Sequence, residues 1–600
     1  MFYSSFAVVV SSFILASIIP PANAATVAPP QPYGAIPTPQ HMAWQKNEII
    51  AFVHFNMNTF TGREWGEGKE DTATFNPTSL DCNQWVKSIN QCGAKLIILT
   101  AKHHDGFCLW PSAYTEHSVK NSPWKNGKGD VVREFTDACK LQGVKAGVYL
   151  SPWDRNSAFY GDSPKYNQYY VNQLTELLTK YGPMAEVWMD GANGEGPNGK
   201  KQEYDFPTFS ALVHKLAPNA VLFQGDSDNC PCIRWVGNEA GIAQATNWLT
   251  VTRGGKTWLP NETDVSIRPG WFYHTEEDSK VKTLEDLLNI YYASVGHGSV
   301  LLLNVPPDRR GLIADPDVKR LGEFGAALKT IFANDLAGGK PVTATNVRGK
   351  SATYSANILT SAKANRYWTT DDDVHTASLT IDLKKPTAFN NIVLQEYIPL
   401  GQRIAAFNVE GFIDGKWKRI GKGTTIGYKR ILWIPRVTAT MIRVNITDAD
   451  ACPRLTRIGL YNSQYDVKLE PSSLLEGKPA TASSVHGNST EYGGDKAVDG
   501  DISSRWATND GTTDCWLEVD TLEPVTIGNI KIREFEPRIT RFQLEYKLTE
   551  AEDWKIAFEG KNAGTDYSVN FTPVKARFVR LHILDSTNSP TIWEFQAYEK

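Results

Sequence analysis

Between Gln40 and about Phe332 the chain repeats one unit, and that repetition limits the fold more than any other feature. Each unit is a helix with an apolar face, a glycine or proline that stops it, and a short apolar run. Asp81 to Gln91 carries Trp85, Val86 and Ile89 on one face; Gly93 ends it and Leu96-Ile97-Ile98-Leu99 follows. Asp130 caps a helix bearing Val132, Phe135 and Ala138, Gly143 stops it, and Ala146 to Leu150 reads as the next strand. Further helices are read at Tyr166–Tyr181, Phe206–Leu216 and, after a Thr283 cap, Leu284–Ser294. Further strands are read at Ile49–Phe55, Ala185–Met189, Val221–Phe223 and Val300–Val305. Helical spacing marks the first kind of segment, and short apolar runs bounded by glycine mark the second. Such alternation means a parallel sheet covered by helices. About 290 residues without a dinucleotide-binding fingerprint favour a (β/α)8-like barrel over an open doubly wound sheet. The stretch from Asn238 to Asp278 is long and irregular, so an incomplete barrel is expected there.

After Phe332 the texture changes to β-branched residues and polar turns. Gly339-Lys340-Pro341-Val342-Thr343-Ala344-Thr345 matches Gly477-Lys478-Pro479-Ala480-Thr481-Ala482-Ser483 at an offset of 138, which also puts Trp368 on Trp506 and Ile381-Asp382 on Val519-Asp520. Trp417-Lys418 falls on Trp554-Lys555 and Ile442-Arg443-Val444 on Val579-Arg580-Leu581 at an offset of 137. Two copies of one β-sandwich module follow from this register. The expected division is a catalytic barrel over 25–335 and sandwiches over 336–470 and 471–600, consistent with a chain of 600 residues, too long for one core. Residues 1–24 read as a signal peptide. Phe6–Ile19 is an apolar run and Ala22-Asn23-Ala24 a small-residue cleavage site, although no Lys or Arg precedes the run. An exported chain, periplasmic or extracellular, is therefore expected, and no later segment is long and apolar enough to span a bilayer. A net charge of -4 gives no sign of a nucleic-acid partner. Eight scattered cysteines do not make a disulfide scaffold, and Cys230-Pro231-Cys232 reads as a pair of loop cysteines.

In a parallel barrel the working residues sit where strands end. Those ends carry His54, then His103-His104-Asp105, Trp153-Asp154, Asp190, Gln224 with Asp226, Glu239, Arg268 and Asn304. Glu186-Val187-Trp188-Met189-Asp190-Gly191 delivers one carboxylate from a buried strand into a glycine-rich loop. Polar groups at nearly every end, with several tryptophans, indicate a polar pocket with aromatic walls. Two chemistries compete. Metal-dependent hydrolysis by His54, His103, His104 and Asp190 is the weaker, since adjacent residues on a strand face opposite ways and no H-x-H or H-E-x-x-H spacing occurs. Glycoside hydrolysis needs two carboxylates, and Asp190 and Glu239 fit by position. A barrel that only binds sugar is a further alternative, but it would tolerate loss of either carboxylate.

These motifs carry a resemblance. His54, Lys102-His103-His104-Asp105-Gly106-Phe107, Val187-Trp188-Met189-Asp190-Gly191 and Arg234-Trp235-Val236-Gly237-Asn238-Glu239 resemble the glycoside hydrolase family 29 α-L-fucosidases, over roughly Gln40 to Phe332. The resemblance implies a retaining exo-enzyme with Asp190 as nucleophile and Glu239 as acid/base, with Glu262 and Glu276 as rivals for the second role. It implies fucose contacts at His54, His103, His104 and Arg268, and maps Glu64, Trp65, Trp153 and Asp154 to the same site. Trp271 or Phe107 would meet the C6 methyl of fucose. The Asn238-Glu239 stretch resembles the subgroup acting on α-1,3/1,4-linked fucose of branched, Lewis-type glycans, so fucosylated oligosaccharides are the expected partners and catalysis needs no cofactor. In the last module, Ala497-Val498-Asp499-Gly500-Asp501 followed by Arg505-Trp506 resembles discoidin-like (coagulation factor 5/8 type C) carbohydrate-binding modules. That resemblance implies a structural Ca²⁺, for which Asp499 and Glu599 are the candidates. The first module lacks the Asp-Gly turn and is expected to pack on the barrel and add to the wall of the site.

Overall fold

The computed structural model describes residues 27–228, 230–361, 366–468, 473–500 and 504–599. The signal-peptide segment and Asp501 lie outside the described residues. Eight parallel strands close into a barrel: β1 Ile49–Val53, β2 Leu96–Lys102, β3 Lys145–Leu150, β4 Glu186–Trp188, β5 Val221–Phe223, β6 Cys232–Trp235, β7 Asn261–Ser266 and β8 Val300–Asn304. β8 returns to β1 with Ile49 opposite Leu301, which completes the ring. The strands are apolar on both faces because both are buried. Ala51, Val53, Ile97 and Leu99 pack outward under the helices. Phe52, Ile98, Tyr149, Trp188 and Phe223 fill the lumen, where Trp188 stacks on Phe223 at 3.9 Å between ring centres. The helices start on caps that the sequence displays. Asp81 accepts from the amides of Asn83 and Gln84, Asp130 accepts from that of Arg133, and Gly143 ends its helix at φ 69°. A helix at Asp315–Ile331, not among those read above, flanks β8.

The barrel is complete where a gap was expected. β7 has the sequence Asn-Glu-Thr-Asp-Val-Ser, with a single aliphatic residue, yet all of it is buried. Its inward carboxyls find indole donors: Trp188 Nε1 donates to Glu262 at 2.9 Å and Trp235 Nε1 to Asp264 at 2.7 Å. Polar groups so paired can line a lumen that apolar residues would otherwise fill. What the region lacks is helices. Among the described residues none lies between β5 and β6 or between β6 and β7.

Two antiparallel sandwiches follow. The first comprises β9 Val342–Ala344, β10 Trp368–Thr369, β11 Ala377–Glu396, β12 Ile404–Ile413, β13 Lys416–Gly423, β14 Arg430–Ala449 and β15 Arg454–Tyr461. The second comprises β16 Ala480–Ala482, β17 Trp506–Ala507, β18 Cys515–Glu534, β19 Ile539–Lys547, β20 Lys555–Lys561, β21 Tyr567–Ser586 and β22 Thr591–Tyr598. Strand order is β10-β15-β11-β14-β12-β13 in one and β17-β22-β18-β21-β19-β20 in the other, with β9 on β11 and β16 on β18. The repeat is thus one topology used twice. Trp368 and Trp506 are buried at the same place, and Arg443 and Arg580 stack over Trp417 and Trp554 at 4.3 and 3.9 Å. Among the described residues no helix is long and apolar enough to cross a membrane.

Candidate active site

All the strand-end residues gather at one mouth of the barrel. His54 follows β1, and its Nδ1 lies 2.8 Å from Asn304 Oδ1 at the end of β8. Asn304 spends its own Nδ2 protons on Ser266 Oγ and the Trp271 carbonyl, so Oδ1 accepts from His54. His103 and His104 come after β2 has ended, and strand alternation no longer separates them; their rings are 4.1 Å apart. Ser151 Oγ donates to the Trp153 carbonyl at 2.7 Å and therefore accepts from His104 Nδ1 at 2.8 Å. That leaves His104 Nε2 as a lone-pair nitrogen, 3.9 Å from Asp190 Oδ2. Burial lowers the basicity of all three rings: His54 falls to about 3, His103 well below its ordinary value, and His104 less far because Asp190 opposes the shift. Neutral imidazoles in a row offer donors and acceptors to hydroxyl groups.

Asp190 follows β4 with its side chain 27% exposed. Tyr149 donates its hydroxyl to Oδ2 at 3.0 Å, and the Ala192 amide donates to Oδ1 at 2.7 Å. Gly191 beside it lets the Gln224 side chain approach, since a Cβ there would stand 2.7 Å from Gln224 Oε1 and push that amide aside. Glu239 stands exposed on the loop after β6. Asn238 shapes that loop, accepting from the amides of Ala240 and Ile242 and donating to the Ile242 carbonyl. Trp271 Nε1 donates to Glu239 Oε2 at 3.2 Å, and the Trp271 ring lies 5.2 Å from that of His54. One run of contacts therefore links the two carboxylates: Asp190, Tyr149, His54, Trp271, Glu239. Glu64 fixes the Trp271 loop, accepting from the Trp271 amide at 2.8 Å and pairing with His274 at 2.7 Å. Trp65, 57% exposed, meets Trp153 edge-on at 5.6 Å, and Trp153 lies 5.1 Å from His104. These indoles form the aromatic wall.

Other expected site residues bond or pack within the scaffold. Arg268 is wholly buried behind the wall, where Asp317 at 2.6 Å and Asp278 at 2.8 Å occupy its guanidinium. Asp154 is buried against Lys102 at 2.9 Å and accepts from the amides of Asn156 and Ser157, which folds the loop after β3. Phe107 sits in the outer core, its ring against Phe75 and His117, while Phe272 is the phenyl ring that touches His54 and His103. Asp105 is buried, accepts from the Phe107 amide and is pushed up to about 7 by burial. Of the rivals to Glu239, Glu262 lies in the lumen and Glu276 is exposed on the short helix Thr275–Lys280. Asp226 shapes its own loop by accepting from the Asp228 amide. The Cys230 and Cys232 sulfurs lie 3.0 Å apart as thiols. Tyr149 and Ser151 were not singled out in the sequence; the only signal was an aromatic with a polar tip and a hydroxyl at the end of an apolar strand.

Among the described residues no group of three or more His, Cys, Asp or Glu is arranged to hold a metal ion. In the terminal module Glu599 pairs with Lys422 of the first module at 3.1 Å. The carboxyls beside Asp499 are those of Glu476 and Glu594, pushed up to about 7 and about 9 by burial and by the Asp499 charge. Glu594 Oε1 is buried with no hydrogen-bond partner, which fits an oxygen-ligated cation.

Residues 33–331 match the family model described as alpha-L-fucosidase, and residues 341–458 and 479–595 each match that of the F5/8 type C domain. Alpha-L-fucosidase 1 of Arabidopsis thaliana is 41% identical over 477 residues, 76% of this chain and 93% of the relative. A Ruminococcus gnavus family 29 fucosidase solved in complex with fucose is 35% identical with a TM-score of 0.69, covering 74% of this chain and 98% of its own. A glycoside hydrolase 29 family member from an unknown rumen bacterium is 34% identical with a TM-score of 0.65, covering 95% of this chain and 100% of its own.

Proposed function

The chain belongs to the α-L-fucosidase family of glycoside hydrolases, with two F5/8 type C modules after the barrel, and from that premise we propose a retaining exo-enzyme that releases α-1,3/1,4-linked fucose from branched, Lewis-type glycans. Hydrolysis in this family needs no cofactor. Asp190 attacks the anomeric carbon while Glu239 protonates the departing glycosidic oxygen, and a covalent fucosyl-enzyme forms. Glu239 then takes a proton from water, which displaces Asp190 from the same carbon. Tyr149 and the Ala192 amide hold the attacking carboxylate in one orientation. His104 Nε2 accepts a sugar hydroxyl, and Trp271 and Phe272 supply the apolar surface for the C6 methyl. The observation that carries this reading is the run of contacts joining Asp190 to Glu239 past the imidazoles. Proton NMR of the first-formed fucose tests it: the α anomer should appear first, and the β anomer first would mean inversion.

The apolar run Phe6–Ile19 and the Ala22-Asn23-Ala24 site support export to the periplasm or beyond, and N-terminal sequencing of the exported protein should begin at Ala25. The working division remains 25–335, 336–470 and 471–600. The terminal module would bind glycan, and a Ca²⁺ at the Asp499 turn, for which Glu594 Oε1 is the one unpartnered buried oxygen among the described residues there, would hold that turn together. Chelation should then lower the melting midpoint of that module and leave aryl-fucoside hydrolysis unchanged.

A further inference from the structure

The loop that carries Glu239 has no helix of its own to rest on, and two loops of the first β-sandwich take that place. Gln402, between β11 and β12, accepts from the Leu249 amide at 2.8 Å and donates to the Asn247 carbonyl at 2.9 Å. Thr425, between β13 and β14, accepts from the Asn247 amide at 2.8 Å. Thr424 Oγ1 donates to the Ala245 carbonyl at 3.0 Å, and so does the Arg430 guanidinium, which also holds the Thr425 carbonyl at 2.9 Å. Gln402, Thr425 and Arg430 are all buried, so water does not replace these bonds. Leu249, Trp258 and Ile398 close an apolar contact across the same joint. On the barrel side, His297 holds the Ala243 carbonyl and the Ala293 carbonyl takes the Ala243 amide. From Ala243 to Leu249 the backbone is thus bracketed on both sides. Glu239, just before the bracket, has Trp271 as its side-chain anchor on the barrel side.

We infer that Gln402, Thr425 and Arg430 of the first β-sandwich are positioning residues for the acid/base, making that module part of the catalytic apparatus. The inference rests on Glu239 having the acid/base role proposed above. A general acid contributes only when its proton is within reach of the leaving oxygen. A loop released from its bracket would move Glu239 and leave Asp190, just after β4, in place. The loss should therefore depend on how much the leaving group needs a proton.

Gln402→Met and Thr425→Val keep side-chain volume and remove the bonds. They are to be made singly and together, with kcat/KM measured on a Lewis-type trisaccharide and on a nitrophenyl fucoside. The trisaccharide value should fall about tenfold or more while the nitrophenyl value changes less than about threefold, because a nitrophenolate leaves without protonation. Equal falls on both substrates would make the joint merely structural, and no change on either would show that the loop does not need it; both results overturn the inference. Glu239→Ala in the same assay separates the two claims. Should it treat both substrates alike, the acid/base assignment fails; should it discriminate while the module variants do not, only the positioning role fails.

Discussion

Tyr149 Oη, 3.0 Å from Asp190 Oδ2, orients that carboxylate from a ring buried in the lumen. Tyr149→Phe should therefore lower kcat/KM on an aryl fucoside about tenfold to a hundredfold, the range for losing a hydrogen bond to a charged group. A melting midpoint near that of the parent protein would confirm that the loss is at the site. Arg268 makes the opposite case. Its guanidinium is locked to Asp317, and both side chains are fully buried. Arg268→Met should lower stability by about 3–5 kcal/mol, because it strands the Asp317 carboxylate. Residual folded enzyme should keep its KM for an aryl fucoside, whereas a sugar-contacting arginine would raise KM. The sequence showed His54, His103, His104, Asp190 and Glu239 because a polar residue directly after an apolar strand stands out. It could not separate Arg268 or Asp154 from them. Their partners, Asp317 and Lys102, lie far off in the chain, and only the fold shows these buried pairings.

At the scale of elements, β7 shows where pattern reading fails. Its inward positions hold Glu262 and Asp264 in place of aliphatic residues, so no apolar run announced a strand. Trp44 Nε1 donates to Glu186 at 2.8 Å as Trp188 does to Glu262, and the two carboxyls face each other across the lumen. Burial raises Glu186 to about 7 and Glu262 further, the latter also through the Glu186 charge. Both groups hold protons more tightly in the folded chain than in the unfolded one. Their contribution to stability is complete below the ordinary glutamate pKa of about 4.3 and is lost as pH rises through the folded values. Thermal unfolding should show the midpoint falling as pH rises from about 4.3 to about 7 and beyond, the later part belonging to Glu262. Glu262→Gln keeps an acceptor for Trp188 and should flatten that fall. The helices that were read, in contrast, were legible to within a few residues, since caps such as Asp81 and Asp130 and stops such as Gly143 are local signals, whereas Asp315–Ile331 starts with no side-chain cap.

For the whole molecule, the two sandwiches share a topology but not a role. The first is tied into the barrel through the buried bonds of Gln402, Thr425 and Arg430. The second touches the rest through polar surface contacts, Gln244 to the Asp499 carbonyl and Lys422 to Glu599. Exposed contacts of this kind contribute little. A chain ending at Lys468 should therefore keep its turnover of a soluble aryl fucoside and lose retention on a glycan-coated surface; loss of turnover would mean that the terminal module also serves the site. The repeat was legible because an offset of 137–138 residues persists along both modules. Which copy leans on the barrel was not, because the joint is made by loop residues with no pattern of their own. The claim beneath all of this is that Asp190 forms the bond to the sugar, and chemical rescue of Asp190→Ala tests it most directly. Without added nucleophile the variant should be inert toward an aryl α-L-fucoside, and azide should restore turnover with β-L-fucosyl azide as product. Turnover that persists without azide, or an α-configured azide, would contradict it.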